Sequence, residues 1–262
     1  MNLVIVAASV WVGATLSATD GTGALPFWAA LAAMALTAAG NAHNDWSDGD
    51  KDRINRPDRP LPSGTISRSS LMLLAGSLFA AGALALIPLS QAHAVLFGLN
   101  AASLVLYNMW GSRRPLVGNL LVALLVGSTL VFGGLESGIN ERVVVAAAFA
   151  AAATLAREMV KDVQDIEGDR AAGARTIAVA IGTTATFRLA NLVLLLLVPA
   201  TLLPFLFLDF GGTYLLGMSV TNALLLASSP GKAREAARSS RLLKWAMVTG
   251  TVAFLFAESR II

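Results

Sequence analysis

The chain has 262 residues, 56% of them hydrophobic and 13% charged, with a mean hydropathy of +0.69, values far from those of water-soluble domains. The absence of cysteine excludes a disulfide framework, a thiolate metal site and a cysteine nucleophile, and the mild net charge of +3 gives no reason to expect a nucleic-acid partner. An all-α integral membrane bundle is the expected class.

Charges divide the chain into about nine apolar segments of the ~20 residues that the hydrocarbon thickness requires, near 2-18, 25-43, 69-88, 94-110, 116-135, 142-160, 186-208, 212-228 and 242-257. The opening run MNLVIVAASVWVGATLSA has no basic residue ahead of it and reads as a retained first span, with a polar stretch from Thr19 to Gly23 leading into the second. Pro199 and Pro204 interrupt the seventh run, which membrane helices tolerate. One transmembrane domain over 1-262 is expected, packed around a central cavity.

With nine crossings the connections 44-68, 111-115, 161-185 and 229-241 lie on the face of the N-terminus. Counted with their adjoining helix ends, they hold 17 of the 19 basic residues, leaving Arg142 and Arg260 on the other face. The expectation is a multi-pass cell-membrane protein with its N-terminus and these loops cytoplasmic and its C-terminus external. Trp46, Trp110 and Trp245 fall at cytoplasmic helix ends, where amphipathic rings anchor at the interface. The acidic loops after the second and sixth spans are separated by four spans, which suggests two four-helix halves plus one extra helix.

The first acidic loop reads Asn44-Asp45-Trp46-Ser47-Asp48-Gly49-Asp50-Lys51-Asp52, and on a continued helix Asn44, Asp48 and Asp52 share one face. The second reads Asp162-Val163-Gln164-Asp165-Ile166-Glu167-Gly168-Asp169, where Asp162, Asp165 and Asp169 share one face. Cytoplasmic loops normally carry basic excess, yet these two loops with their flanks, 45-58 and 158-169, concentrate 10 of the 16 acidic residues. So many carboxylates repel one another, and hard divalent cations relieve that repulsion. Mg²⁺ takes a few carboxylates together with phosphate oxygens and water, which suits two facing clusters with a diphosphate between them. Asp50, Asp58 and Glu167 lie off the shared faces and read as solvated or paired with a neighbouring arginine.

These residues resemble the UbiA-type intramembrane prenyltransferases, whose paired motifs N-D-x-x-D-x-x-x-D and D-x-x-D-x-x-x-D are both complete here. The resemblance runs on through Arg53-Ile54-Asn55-Arg56-Pro57-Asp58-Arg59-Pro60-Leu61-Pro62-Ser63-Gly64 and Arg157-Glu158-Met159-Val160-Lys161, and with the spans it covers nearly the whole chain. It implies Mg²⁺-dependent transfer of an isoprenyl group from an allylic diphosphate to a membrane-embedded acceptor. The implied metal ligands are Asn44, Asp45, Asp48, Asp52, Asp162, Asp165 and Asp169. Asp48, Asp165, Lys161 and Tyr107 are the implied catalytic set, and Lys161, Arg56, Arg59 and Arg113 the substrate-binding cations. The phrases NRPDRPLPSG and REMVKDVQDIEGDRAAGART are most similar to the branch of that family that joins geranylgeranyl diphosphate to geranylgeranylglyceryl phosphate in archaeal-type ether lipids.

Two features depart from the family pattern. Tyr107-Asn108-Met109-Trp110-Gly111-Ser112-Arg113-Arg114-Pro115 has the expected tyrosine but no following lysine, and Arg113, the first candidate for an acceptor phosphate, offers a planar fork instead of a point charge. The sequence also begins inside the first span without the basic stem that relatives often carry, so either the start is trimmed or that contact is missing. Asn100, Asn119 and Asn191 either line the cavity or bond between helices, and His43 either accepts a proton or is an interfacial structural residue. Relatives with aromatic acceptors share the core motifs, so such an acceptor is the alternative. A transporter would place its carboxylates at the midplane, and a phosphatidyltransferase of the CDP-alcohol type needs D-G-x-x-A-R, which the sequence lacks.

Overall fold

A computed structural model describes residues 2-18 and 25-257; the stretch Thr19 to Gly23 and the external position expected for Arg260 lie outside the described residues. The described residues are helical with no strand. The helices are α1 (Asn2–Ser17), α2 (Leu25–Ser47), α3 (Gly49–Asn55), α4 (Arg68–Leu84), α5 (Gln91–Met109), α6 (Val117–Gly134), α7 (Glu141–Gln164), α8 (Ile166–Ala171), α9 (Ile177–Ile181), α10 (Thr183–Ala200), α11 (Leu203–Phe207), α12 (Gly212–Ala227) and α13 (Ala236–Leu255). Among the described residues the long members α1, α2, α4, α5, α6, α7, α10, α12 and α13 coincide with the nine expected segments. Among the described residues five stretches are long and apolar enough to cross a membrane, namely Leu25–Ser47, Gln91–Arg113, Val117–Gly134, Glu141–Gln164 and Thr183–Phe207. The seventh run breaks between α10 and α11, where Pro204 cannot donate a backbone hydrogen bond. At that break the buried Tyr214 hydroxyl donates to the Thr201 carbonyl at 2.8 Å, restoring a partner that water would supply outside a membrane.

Contacts run from α2 through α5, α6, α7, α10 and α12 to α13, and α1 touches both α13 and α2, so the ring closes. Small residues make the inner contacts while large ones face outward: α2 buries Ala29, Ala32, Ala35, Ala39 and Gly40, whereas Leu73, Ile87 and Phe207 are 73%, 78% and 74% exposed. That inversion suits lipid, where association depends on close backbone approach and not on hiding apolar surface. At the α1–α6 crossing a Cβ on Gly13 would overlap the Leu130 carbonyl oxygen, and one on Gly133 the Val10 carbonyl oxygen.

Two helices in this ring are interrupted in the same way. The backbone leaves helical geometry at Asp48 (φ −91°, ψ 8°) between α2 and α3, and at Asp165 (φ −97°, ψ 7°) between α7 and α8. The hydrogen-bond ladder nevertheless continues through both breaks, from Asp48 N to Asn44 O and Asp52 N to Asp48 O at 2.8 and 2.9 Å, and from Asp165 N to Lys161 O and Asp169 N to Asp165 O at 2.9 and 3.0 Å. The expected acidic stripes therefore survive, while Asp50, Asp58 and Glu167, off the stripes, are exposed.

Candidate active site

Helices α3 and α8 pack against each other and bring the two acidic motifs to one joint. Asn55 fastens it: its Nδ2 donates to the Asp165 carbonyl at 3.1 Å, and the Gly168 N–H donates to its Oδ1 at 3.1 Å. A Cβ on Gly168 would run into the Asn55 amide, so a side chain there would displace this clamp.

The carboxylates at this joint are partly offset by cations from α3 and the loop after it. Lys51 Nζ lies 3.2 Å from Asp48 and 3.4 Å from Asp169, one aspartate from each motif. Burial costs the Lys51 charge, but Asp48 and Asp169 outweigh it and hold the ammonium above its ordinary range. For Asp169 burial prevails over the attraction of Lys51, and its carboxyl is pushed up. Arg56 grips both oxygens of Asp165 at 2.9 and 2.6 Å, and Arg59 bridges Asp45 and Asp52 at 2.8 and 2.6 Å. Asp162 accepts from Asn119 of α6 at 3.0 Å. Asn44 spends its amide N–H groups on Asp48 Oδ2 and Asn108 Oδ1, at 3.0 and 3.1 Å, leaving its own Oδ1 uncommitted to these bonds.

This donor set fits Mg²⁺. It is all oxygen, and the single Lys51 ammonium already lies between carboxylates of both motifs, so one cation can address both. The seven expected ligands are nevertheless not gathered into a cage: among the described residues no three acidic or histidine side chains converge as a metal-holding group. Lys51, Arg56 and Arg59 instead engage the aspartates in ones and twos. An octahedral ion that keeps waters and phosphate oxygens needs only one or two carboxylates from the protein.

Beside the joint opens a cavity of about 630 Å³. Its mouth is polar, with Asn44, Asp45, Arg56, Arg59, Tyr107 and Lys161 on the wall, and its depth is apolar, with Leu36, Phe97, Leu104, Val126, Phe132 and Met247. A smaller apolar chamber of about 60 Å³ shares Ile5, Ser9, Val126 and Met247 with it, so greasy space continues inward. Asp48, Asp52, Asp162, Asp165 and Asp169 stand behind this wall at the joint and are not among its lining residues.

Arg113 is placed elsewhere. It ends the short turn Gly111–Arg113, is exposed, accepts the Arg175 N–H at 3.1 Å through its carbonyl, and does not line the cavity. His43 has its Nδ1 2.7 Å from the Asn108 amide and its ring stacked on Trp46, a structural placement. The three asparagines separate: Asn100 lines the cavity, Asn119 holds Asp162, and Asn191 donates to the Pro230 carbonyl. Sequence reasoning missed the roles of Glu158, Asn108, Asn55 and Lys244. Glu158 is buried and accepts from Lys161 at 3.0 and 2.7 Å and from Arg157 at 3.2 Å, an arrangement foreshadowed by the i, i+3 spacing of Glu158 and Lys161. Lys244 gave one signal, a lysine set among the apolar residues of the last run.

Comparison with known proteins decides the family. The model of the UbiA prenyltransferase family matches residues 3-256. The chain belongs to that family. A curated UbiA-family relative, digeranylgeranylglyceryl phosphate synthase of Methanothrix thermoacetophila, is 38% identical over 225 residues, 86% of this chain and 83% of the relative. A solved structure concerned with digeranylgeranylglyceryl phosphate synthase in membranes superposes with a TM-score of 0.76 at 26% identity, covering 98% of this chain and 94% of that one. A UbiA homologue from Archaeoglobus fulgidus, bound to DMAPP and Mg²⁺, shares the fold with a TM-score of 0.62 at 12% identity, over 97% and 95% of the two chains.

Proposed function

We propose that this UbiA-family protein transfers a geranylgeranyl group from its diphosphate to the free hydroxyl of geranylgeranylglyceryl phosphate, forming the second ether bond of an archaeal-type lipid. The relative named for that synthase supports the substrate pair. The observation that carries the chemistry is the joint itself: two acidic stripes fastened together beside a cavity whose mouth is charged and whose depth is apolar. A diphosphate with a long isoprenoid tail has that same division. In this reading the domain is 1-262, crosses the membrane nine times as two four-helix halves plus one, and places its N-terminus and acidic loops in the cytoplasm by positive-inside bias.

Cleavage of the allylic C–O bond leaves the electron pair on the diphosphate and positive charge on the prenyl carbon. The acceptor oxygen then bonds to that carbon and its proton passes to the released diphosphate or to water. Mg²⁺, held by Asp48 and Asp165 with support from Asn44, Asp45, Asp52, Asp162 and Asp169, would neutralise the leaving group. Lys161, Arg56 and Arg59 line the mouth and supply cationic hydrogen bonds to the same oxygens. Arg56 and Arg59 sit on aspartates and also line the cavity, so their guanidinium groups are within reach of a diphosphate bound there. Tyr107 presents an aromatic wall to the developing cation. Product identification tests the proposal: with geranylgeranyl diphosphate and Mg²⁺ the purified protein prenylates geranylgeranylglyceryl phosphate. Preferential prenylation of 4-hydroxybenzoate or homogentisate would reject it.

A further inference from the structure

We infer that Arg157 of α7 together with Lys244 and Ser240 of α13 forms a separate subsite for the phosphate monoester of the acceptor, distinct from the aspartate joint. The inference rests on the proposed function for the identity of the acceptor, but the charge imbalance behind it does not.

Arg157, Lys161, Ser240 and Lys244 all line the 630 Å³ cavity. Ser240 is buried and lies one helical turn before Lys244 on the same face of α13. Within this group there is one carboxylate, Glu158, and its oxygens are engaged by Lys161 at 2.7 and 3.0 Å and by Arg157 at 3.2 Å. Lys244 forms no ion pair among the described residues, and its charged neighbour is another cation, Arg157. Arg157 Nε is buried and has no hydrogen-bond partner among the described residues. Three cations therefore surround one anion, a net charge of +2 on a partly buried wall. Uncompensated buried charge is costly, and an unsatisfied guanidinium N–H adds to the cost. A doubly charged anion with several acceptor oxygens offsets the charge excess, which a phosphate monoester does and a neutral or singly charged aromatic acceptor does not.

Lys161, one turn nearer the second motif, can turn to the diphosphate, which leaves Arg157 and Lys244 against Glu158 with an excess of one positive charge for the monoester. The two anions of the reaction then bind at different places, the diphosphate with metal by the α3–α8 joint and the monoester between α7 and α13, about two helical turns back along α7 from Asp165. That separation lets each bind without repelling the other and leaves the acceptor hydroxyl facing the allylic carbon.

The test uses the full chain in detergent. Equilibrium binding of geranylgeranylglyceryl phosphate, without donor, is compared with binding of the same lipid lacking its phosphate, and KM values for both substrates are measured. Lys244→Met is expected to weaken binding of the phosphorylated lipid about tenfold and to raise its KM similarly, with a donor KM change of less than about twofold. Lys244→Arg restores binding to within about threefold, which distinguishes lost charge from lost packing. Binding of the lipid without phosphate stays the same in all three proteins. Equal weakening for both lipids, or a donor KM that rises as much as the acceptor KM, overturns the subsite. Wild-type protein that binds the phosphorylated lipid with this contrast but never prenylates it defeats the proposed function and leaves the subsite standing. Should Lys244→Met fail to fold, Arg157→Lys serves in its place: it keeps the charge, loses the Nε donor, and is expected to discriminate less between the two lipids.

Discussion

The aspartate joint, beside the cavity, and the α7–α13 wall that lines it carry opposite deficits. At the joint Asp45, Asp48, Asp52, Asp165 and Asp169 meet Lys51, Arg56 and Arg59, an excess of two negative charges before Asp162 is counted. On the wall Arg157, Lys161 and Lys244 meet Glu158, an excess of two positive charges. A folded chain tolerates such imbalances near a membrane interface when a ligand completes them, so each region describes its ligand by what it lacks. The joint lacks cations and the wall lacks an anion.

The comparison breaks most sharply if metal is irrelevant to the joint. Chelation with excess EDTA is expected to reduce transfer to background, with recovery on adding Mg²⁺ and an unchanged far-ultraviolet circular dichroism spectrum. Sustained turnover in EDTA would mean that Lys51, Arg56 and Arg59 suffice to balance the aspartates. Next in size, Asp48→Ala and Asp165→Ala should each lower kcat by about 10²- to 10³-fold while the protein still elutes as a folded species. Arg56, the partner that Asp165→Ala would strand, is a third exposed and can turn to water.

A smaller effect tests whether the joint must be fastened. Gly168→Ala forces the Asn55 amide away from the turn at Asp165, and the Mg²⁺ concentration for half-maximal rate is expected to rise about tenfold, as when outer-shell partners of a metal site are lost. Asn55→Ala should act in the same direction, and the double variant should fall short of the sum because both changes open one contact. Additive effects would show that α3 and α8 are held by other means.

What could be read from sequence follows the length scale of each interaction. The long helices were legible because charge interrupts apolar runs at the thickness of a bilayer, and the acidic stripes because helical spacing is local; the exposed Asp50, Asp58 and Glu167 fall where that spacing puts them. The Asn55 clamp was not legible, since its partners lie 110 and 113 residues away and neither backbone group carries a signature. Nor was the counter-ion role of Lys51, which in sequence is simply a lysine among aspartates. The basic wall was hidden for a related reason: positive-inside bias supplies arginine and lysine across the whole cytoplasmic face, so only the closing of α13 against α7 separates Lys244 from the rest.

The smallest expected effect concerns Arg113, which the sequence nominates for the acceptor phosphate because it follows Tyr107. The chain turns between them: α5 ends at Met109, the turn Gly111–Arg113 follows, and Arg113 emerges exposed while Tyr107 stays on the cavity wall. Neighbouring Arg114 lies over the Trp110 ring at 4.7 Å, so both arginines of this connection are spent at the interface or in water. A phosphate bound inside the cavity is out of their line, and exposed cations are well screened at physiological salt. Arg113→Ala should therefore change the KM for geranylgeranylglyceryl phosphate by less than about twofold, well below the shift expected for Lys244→Met. A tenfold rise on Arg113→Ala, with Lys244→Met silent, would move the acceptor phosphate to the rim of the cavity and leave the positive excess on the α7–α13 wall to the donor.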